Sequence, residues 1–213
     1  MVIGLGQFGE HVAGTLAEAG QEVVAIDKDM ERIEAFKERV PRVARANCTS
    51  EEAMRSMGAA EVSVAIIALG EEDFESAVLG TSVLKSLGVS NIVVRSSSRQ
   101  RGRILALAGA ARVVYPEAEM GENLGRLLLH ESLKASVELP SGFSLSELTV
   151  PKLISGKTLA DLQLRQTHRL NVIAIGRKGL WTEATPQAVL EEGDLLLIAG
   201  RSEQVAGLAA LWD

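Results

Sequence analysis

Cysteine is nearly absent from the sequence: Cys48 is the single thiol in 213 residues, so no internal disulfide can form. Proteins of a reducing cytoplasm commonly lack disulfides, and this count fits that compartment. The chain also lacks an uninterrupted apolar run of about 18 residues, the length typical of a membrane-spanning helix. No basic segment followed by an apolar stretch opens the chain, so no secretory signal peptide is predicted. These absences together predict a cytoplasmic protein.

Side chains suited to acid–base or nucleophilic catalysis are scarce, with three histidines, one tyrosine and one cysteine. His11, His130 and His168 lie in different predicted elements, and no set of histidines and cysteines has the spacing of metal ligands. Tyr115 is followed four residues later by Glu119, so the Tyr-x-x-x-Lys pair of one class of reductases is missing. We therefore expect that the protein is not an enzyme.

Basic residues are outnumbered by acidic ones, 22 to 28, and the net charge at pH 7 is −6. Neither the N-terminal nor the C-terminal part of the chain carries an excess of lysine and arginine. Nucleic acids and anionic lipid surfaces attract basic proteins, so neither is predicted as the main partner. The apolar content of 46% is sufficient for a buried core, and the length suits one large domain or two small ones.

The first 27 residues, MVIGLGQFGEHVAGTLAEAGQEVVAID, predict a strand, a glycine-rich turn, a helix and a second strand that ends in an acid. In such a unit Gly4 permits the tight turn, Gly6 lets the backbone approach a phosphate, and Gly9 lets the helix pack closely on the sheet. Asp27 follows Gly9 by 18 residues, near the spacing of a carboxylate that binds a ribose hydroxyl. The pattern predicts nucleotide binding, and a glycine turn kept for packing alone is the alternative. Met1 lies only three residues before Gly4, so the first predicted strand is very short, and the sequence leaves open whether residues before Met1 are missing.

Strands recur between predicted helices as far as residue 115, which predicts a Rossmann-like, doubly wound parallel sheet with helices on both faces. The predicted strands are residues 1–3, 23–26, 43–47, 62–69, 92–94 and 113–115. A helix that begins near Pro116 follows the sixth strand and contains Gly121 and Gly125. Because both glycines lie on one side, this helix is suited to close packing, either on a second subunit or on its own domain. We assign residues 1–133 to this first domain.

A change in pattern within residues 134–140 predicts a domain boundary, and residues 134–213 are assigned to a smaller α+β module. Alternating apolar residues predict a half-exposed strand just after the boundary, and later apolar runs predict two more strands. The predicted strands are residues 143–150, 171–176 and 194–199, and a closing helix is predicted over residues 204–211. These elements indicate a small sheet that is antiparallel.

Three runs in the first domain carry a family resemblance: VIGLGQFGEHVAGTLAEAGQEVVAIDKD, ARANCTSEEAMRSMGA and VAIIALGEE. They resemble the RCK domains of the regulatory subunits of bacterial Trk and Ktr potassium uptake systems. The runs TLADLQLR, NVIAIGRKG and EEGDLLLIAG in the second domain are similar to the companion C-terminal RCK module. The resemblance covers nearly the whole chain, and its single N-plus-C unit is more similar to the KtrA type than to the longer TrkA type.

The resemblance implies a cytosolic regulatory subunit that binds an adenine nucleotide, either ATP or ADP or NAD(H), and gates potassium uptake. It implies an integral membrane potassium-translocating subunit of the KtrB or TrkH type as partner. Through that partner the protein would lie at the inner face of the cell membrane. The resemblance also implies a homo-oligomer, in which dimers assemble into a ring that is expected to be an octamer.

The resemblance further assigns roles to residues of the glycine turn and the strand ends. The residues expected to bind the nucleotide are Gly4, Gly6, Phe8 and Gly9 at the phosphates, Asp27 at the ribose, Lys28, Asn47 and Cys48 at the adenine, Ala68, Leu69 and Gly70 along the nucleotide, and Arg95 at a phosphate. Glu117 matches an acidic residue that some relatives use near a divalent cation, and such a cation is therefore an expected ligand. An acid is also favoured at a helix start for electrostatic reasons alone.

Gln7 is included among the expected nucleotide-binding residues but departs from the KtrA type, which often has arginine there, placed toward the last phosphate. A neutral glutamine puts strong discrimination between ATP and ADP in doubt and leaves NAD(H) open. The main alternative function is an NAD(P)-dependent oxidoreductase with a small substrate domain, which would need a proton donor near the nicotinamide. A third interpretation is a soluble RCK-like sensor without a channel partner.

Overall fold

The structure is a computed structural model that describes residues 1–139 and 141–213. The chain divides into two compact units, Met1–Ala118 and Glu119–Asp213. The domain boundary between residues 133 and 134 stays a prediction. Within the described ranges, no helix combines the length and the hydropathy needed to cross a lipid bilayer.

The first unit contains a six-stranded sheet in which every strand pairing is parallel. Its strands are β1 Val2–Ile3, β2 Val24–Asp27, β3 Arg42–Arg45, β4 Ala65–Ile67, β5 Ile92–Arg95 and β6 Arg112–Val114. The strand order β3-β2-β1-β4-β5-β6 reverses direction at β1, and the carboxyl ends of all strands meet at one edge. In open sheets of this type, ligands bind at that edge beside the reversal point. The predicted Rossmann-like, doubly wound fold is confirmed.

Short polar side chains begin three of the helices in this unit. The helices are α1 Gln7–Glu18, α2 Met30–Phe36, α3 Glu51–Ser56, α4 Phe74–Ser86, α5 Arg99–Ala108 and α6 Pro116–Leu129, the last of which continues into the second unit. The side chains of Asp29, Ser50 and Ser98 accept hydrogen bonds from backbone N–H groups in the first turns of α2, α3 and α5. These bonds satisfy donors that a helix leaves unpaired at its start.

The turn between β1 and α1 depends on two glycines. Gly4 has a φ of +95°, in the left-handed region, and its N–H donates to the Ile26 carbonyl oxygen at 2.8 Å. At Gly9 an added Cβ atom would lie 1.8 Å from the Gly4 carbonyl oxygen. Only glycine therefore allows α1 to lie this close to the turn, which places the start of α1 at the sheet edge.

Apolar residues of the central strands alternate between two buried clusters, so both faces of the sheet are covered. Ile3 and Ile26 belong to one cluster, whereas the preceding residues Val2 and Ala25 belong to the other. All four side chains are almost completely buried. Near-continuous apolar strands are typical of parallel sheets that have helices on both faces.

The second unit contains a five-stranded sheet in which every pairing is antiparallel. Its strands are β7 Leu133–Leu139, β8 Phe143–Thr149, β9 Asn171–Arg177, β10 Leu180–Glu183 and β11 Leu195–Arg201, in the order β10-β9-β11-β8-β7. Its further helices are α7 Leu159–Leu162, α8 Leu164–Thr167 and α9 Ser202–Trp212. The predicted antiparallel sheet is confirmed, as is the alternating burial of β8.

Two strands of this sheet were not predicted. β7 occupies the segment expected to be a boundary, of which Pro140 lies outside the described residues, and β7 pairs with β8 along its length. β10 follows a tight turn at Lys178 and Gly179, whose φ values are 51° and 82°. Both strands lie at the edges of the sheet, and all four residues of β10 are exposed. β10 has no buried face and therefore lacks the apolar alternation by which a strand is recognised. β7 does alternate apolar and polar residues from Leu133 to Leu139, but its segment had been interpreted as a domain boundary.

Candidate functional site

Asp27 ends β2 with a buried carboxylate that lies against the glycine turn. Its Oδ2 atom accepts a hydrogen bond from the Leu5 N–H at 2.6 Å, and its Oδ1 atom accepts one from the Asp29 N–H at 2.9 Å. The residue is only 5% exposed. An ionised carboxylate has about four acceptor positions, so each oxygen retains capacity for one more donor. The arrangement holds the turn in place and leaves acceptors that a hydroxyl group could use.

A cleft opens beside Asp27 at the carboxyl edge of the sheet. The predicted residues that it brings together are Gly4, Asp27, Lys28, Asn47, Cys48 and Leu69. They come from the ends of four strands and the loops that follow them. We call this space the first cleft.

Lys28 and Asn47 have defined hydrogen-bond partners at the first cleft, and Cys48 is buried in its wall. The Lys28 ammonium donates to Asp73 at 2.6 Å, and this hydrogen bond raises the pKa of Lys28. The side-chain Oδ1 atom of Asn47 accepts hydrogen bonds from the Thr49 N–H at 3.0 Å and from the Thr49 hydroxyl at 2.9 Å, and these bonds orient the side-chain amide. Burial raises the pKa of the Cys48 thiol, so this side chain forms a neutral part of the wall.

Other predicted residues, Gly6, Gln7 and Phe8 near the glycine turn and Ala68 after β4, do not line the first cleft. Gly6 precedes α1 in extended conformation, and Gln7 and Phe8 form the start of that helix. Ala68 is buried beneath the turn, where its N–H donates to the Ile3 carbonyl oxygen at 2.7 Å. The first-turn N–H groups of α1 therefore face the same edge as the cleft, an arrangement that attracts anions.

A second cleft lies between the loops that follow β4 and β5, and it shares Leu69 with the first cleft. Of the predicted residues it contains Leu69, Gly70 and Arg95. Arg95 donates from Nη1 to the Leu69 carbonyl oxygen at 3.2 Å, and from Nη2 to the Glu117 carboxylate. The hydrogen bond from Arg95 lowers the pKa of Glu117. Arg95 is thus positioned by two oxygens at the sheet edge.

Glu117 is the residue for which a divalent cation was predicted. In the structure one of its oxygens is engaged by Arg95, and the side chain is otherwise largely exposed. Across residues 1–139 and 141–213, no group of three or more His, Cys, Asp and Glu side chains could hold a metal ion. The role of Glu117 in binding a cation stays a prediction.

Two residues near the first cleft were missed by sequence reasoning. Arg32, in α2, has its Nη1 atom 3.7 Å from Asp27 Oδ2 and 3.7 Å from the position that a Cβ atom of Gly6 would occupy. Asp73 pairs with Lys28 across 45 residues of sequence. Neither contact has a local sequence signal, because each depends on loops that the fold brings together.

Family models and related proteins match nearly the whole chain. The model of the TrkA-N domain matches residues 1–116, and the model of the TrkA-C domain matches residues 145–211. "Ktr system potassium uptake protein A" of Vibrio alginolyticus is 31% identical over 206 residues, which cover 96% of this chain and 93% of that protein. The protein of the same name from Bacillus subtilis (strain 168) is 29% identical over 205 residues, covering 96% and 92%.

Solved structures show the same folds. The crystal structure of the GsuK RCK domain matches 99% of this chain with a TM-score of 0.66 and 21% identity, and the chain spans 46% of that protein. The NAD(P)-binding domain of an exopolyphosphatase-related protein from Archaeoglobus fulgidus matches 60% of this chain, with a TM-score of 0.53 and 27% identity, over 96% of that domain. The chain therefore belongs to the family of TrkA-N and TrkA-C domain proteins that includes the Ktr system potassium uptake proteins.

Proposed function

We propose that this protein is a cytosolic, nucleotide-binding regulatory subunit that gates a potassium uptake transporter. The observation that carries the proposal is the position of the Asp27 carboxylate against the glycine turn, at the carboxyl edge of a parallel sheet. Relatives about 30% identical over almost their full length are named as potassium uptake proteins, which supports the same role for this chain.

An adenine nucleotide fits the groups at the sheet edge. Asp27 retains acceptors for the ribose hydroxyls, and Gly6 leaves the backbone N–H groups at the start of α1 uncovered toward a phosphate. Lys28, Asn47 and Cys48 would line the adenine, and Arg95 would supply a positive charge to a phosphate. The solved domain with 27% identity is described as NAD(P)-binding, which supports the class of ligand. If a divalent cation accompanies the phosphates, Glu117 is its proposed protein ligand.

Gating requires that the ligand bind two arrangements of the protein with different affinity. Because the proposed nucleotide residues lie on loops after β1, β2, β3, β4 and β5, a ligand that contacts all of them would restrict how those loops move. A ligand with a different number of phosphates would contact a different subset of loops. We propose that this difference is what a membrane potassium-translocating subunit senses.

Assembly of several copies is proposed to involve α6. The side chains of Met120, Leu124 and Leu128 on this helix are 66%, 52% and 78% exposed. An added Cβ atom at Gly121 or Gly125 would contact no atom within 4 Å, so no other part of the described chain packs against the helix at these two positions. An apolar helix face with small residues is suited to close packing against a second copy, and we propose a homo-oligomer built from such dimers.

The binding step is tested by identifying the nucleotide that the purified protein retains. Mass spectrometry of ligands released by heat would give the compound, and calorimetry with ATP, ADP, NAD and NADH would give the affinities. We expect at least one adenine nucleotide to bind in a one-to-one ratio with the chain. Failure of all four compounds to bind a folded protein would contradict the proposal.

A further inference from the structure

Arg101, in the first turns of α5, is held over the second cleft by three different groups. Its Nη1 atom donates to the Glu71 carbonyl oxygen at 3.1 Å and lies 3.3 Å from the Glu71 carboxylate. Its Cζ atom lies 5.0 Å from the centre of the Phe74 ring, a cation–π contact. Two of the three contacts do not involve a carboxylate, so the guanidinium would keep its position if that carboxylate moved away.

The Glu71 carboxylate occupies the place where donors of the second cleft converge. Its Oε1 atom accepts from the Ser97 hydroxyl at 2.5 Å as well as facing Arg101. The Glu71 side chain is 63% exposed, and exposed ion pairs contribute little to stability. An anion of the protein itself is therefore held weakly between a hydroxyl and a guanidinium.

We propose that Ser97 and Arg101 form a subsite for the terminal phosphate of a nucleotide, and that Glu71 competes with that phosphate for the same donors. This inference rests on the proposed nucleotide-binding function. A terminal phosphate carries more negative charge and more acceptor oxygens than a carboxylate, so it can replace Glu71 at both donors.

The position of the subsite supports a terminal phosphate as its occupant. The second cleft shares Leu69 with the first cleft, where Asp27 lies, and it also contains Arg95. Arg95 already forms a hydrogen bond with the Glu117 carboxylate. The Glu71 carboxylate lies 3.3 Å from Arg101, so a ligand can replace Glu71 at Arg101 more easily than it can replace Glu117 at Arg95. Arg101 would supply the positive charge that neutral Gln7 does not.

The proposal makes Glu71 a determinant of which nucleotide binds best. ATP must displace the carboxylate to reach Ser97 and Arg101, whereas NAD has no terminal phosphate and would leave Glu71 in place. Removing the negative charge at residue 71 should therefore favour ATP over NAD. Removing the positive charge at residue 101 should have the opposite effect.

The test is isothermal calorimetry of ATP, ADP and NAD with the full chain and three variants. We expect Glu71→Gln to increase the affinity for ATP by about threefold to tenfold with little change for NAD, because a charged competitor is lost. Arg101→Gln should decrease the affinity for ATP by about tenfold and again leave NAD nearly unchanged. Glu72→Gln removes the same charge one residue along the chain, at a residue that does not line the second cleft, and serves as the matched control.

The outcomes separate this inference from the function on which it rests. If the wild-type protein binds no nucleotide, both the function and the subsite are wrong. If nucleotides bind but Glu71→Gln affects ATP and NAD equally, or no more than Glu72→Gln does, the subsite is wrong and the function stands. Thermal unfolding of each variant checks that Arg101→Gln is folded, and Glu71→Gln gives an independent answer if it is not.

Discussion

The Asp27 carboxylate accepts a hydrogen bond of 2.6 Å from the backbone N–H of Leu5, and this bond joins the end of β2 to the glycine turn. The same carboxylate accepts from the Asp29 N–H through its other oxygen. Asp27 therefore has a structural role in the free protein in addition to the proposed role toward a ribose. The two roles can be separated experimentally, because only the second depends on the ligand.

Asp27→Asn should weaken both roles. Asparagine has one acceptor oxygen where aspartate has two, so either Leu5 or Asp29 would lose its acceptor. We expect the free energy of unfolding to fall by about 1–3 kcal/mol, measured by urea denaturation. We also expect the affinity for ATP to fall about tenfold, since hydrogen bonds to charged groups contribute about 1.5–3 kcal/mol.

A comparison of ATP with 2′-deoxy-ATP isolates the role of Asp27 toward the ribose. The wild-type protein should prefer ATP, and Asp27→Asn should reduce this preference. Glu22→Gln removes an exposed acid before β2 and is the control for charge. Unchanged affinity for every adenine nucleotide in Asp27→Asn would show that Asp27 does not bind the ribose.

Gly9→Ala should destabilise the first unit. The new Cβ atom would lie 1.8 Å from the Gly4 carbonyl oxygen, and this neighbour is backbone that cannot move aside without distorting the turn. We expect a loss of about 1–3 kcal/mol in the free energy of unfolding, together with weaker nucleotide binding. Gly207→Ala is the control, because nothing lies within 4 Å of its Cβ position in α9, and it should be neutral or stabilising. Equal stability of the two variants would contradict the close approach at Gly9.

Replacing both Gly121 and Gly125 by leucine should reduce the size of the assembly. Both positions are bare on α6, so larger side chains would prevent a second helix from approaching closely. Light scattering should report a smaller particle than for the wild type. Gly207→Leu, at another helical glycine without neighbours, should leave the assembly unchanged. A monomeric wild-type protein would contradict the proposed role of α6.

Asp194→Asn should destabilise the second unit in a manner that depends on pH. The buried Asp194 carboxylate accepts from Arg177 Nε at 2.8 Å and Nη2 at 2.7 Å and from the Glu191 N–H at 2.8 Å. The hydrogen bonds from Arg177 lower the pKa of Asp194. Because the folded pKa is below the unfolded value, the stabilisation is present above about pH 4 and is lost as the pH falls toward the folded pKa.

We therefore expect Asp194→Asn to lower the free energy of unfolding by about 1–3 kcal/mol at pH 7, with a smaller difference from wild type near pH 3. Denaturant unfolding at several pH values measures this difference. Glu191→Gln is the matched control, since Glu191 pairs with the same arginine but is largely exposed, and its effect should be small. A difference for Asp194→Asn that does not change with pH would contradict the assigned cause.

The sequence allowed the parallel sheet to be predicted because its central strands are buried on both faces and read as apolar runs. Ile3 and Asp27 mark the ends of such runs, and the glycine turn between them has a recognised spacing. β10 could not be predicted, because an exposed edge strand has no periodic apolar pattern. Leu124 and Leu128 share one face of α6, yet their side chains are 52% and 78% exposed. Helical spacing shows which residues share a face and does not show what covers that face.

The proposed site was predicted unevenly for a related reason. Gly4 and Asp27 belong to a local pattern, so they could be assigned from the sequence. The contact of Glu71 with Arg101 and Ser97 joins two loops that are about 26–30 residues apart, and it follows from the pairing of β4 with β5. A single sequence contains no signal for such a contact.

The central claim is that nucleotide binding gates potassium uptake, and potassium flux tests it most directly. The protein would be reconstituted with its membrane partner in liposomes, and flux measured with saturating ATP, ADP, NAD or NADH. We expect flux to differ between nucleotides, and Arg95→Ala to reduce this difference more than Arg103→Ala, since Arg95 lies in the second cleft and Arg103 is an exposed residue of α5. Identical flux with all four nucleotides would contradict the account.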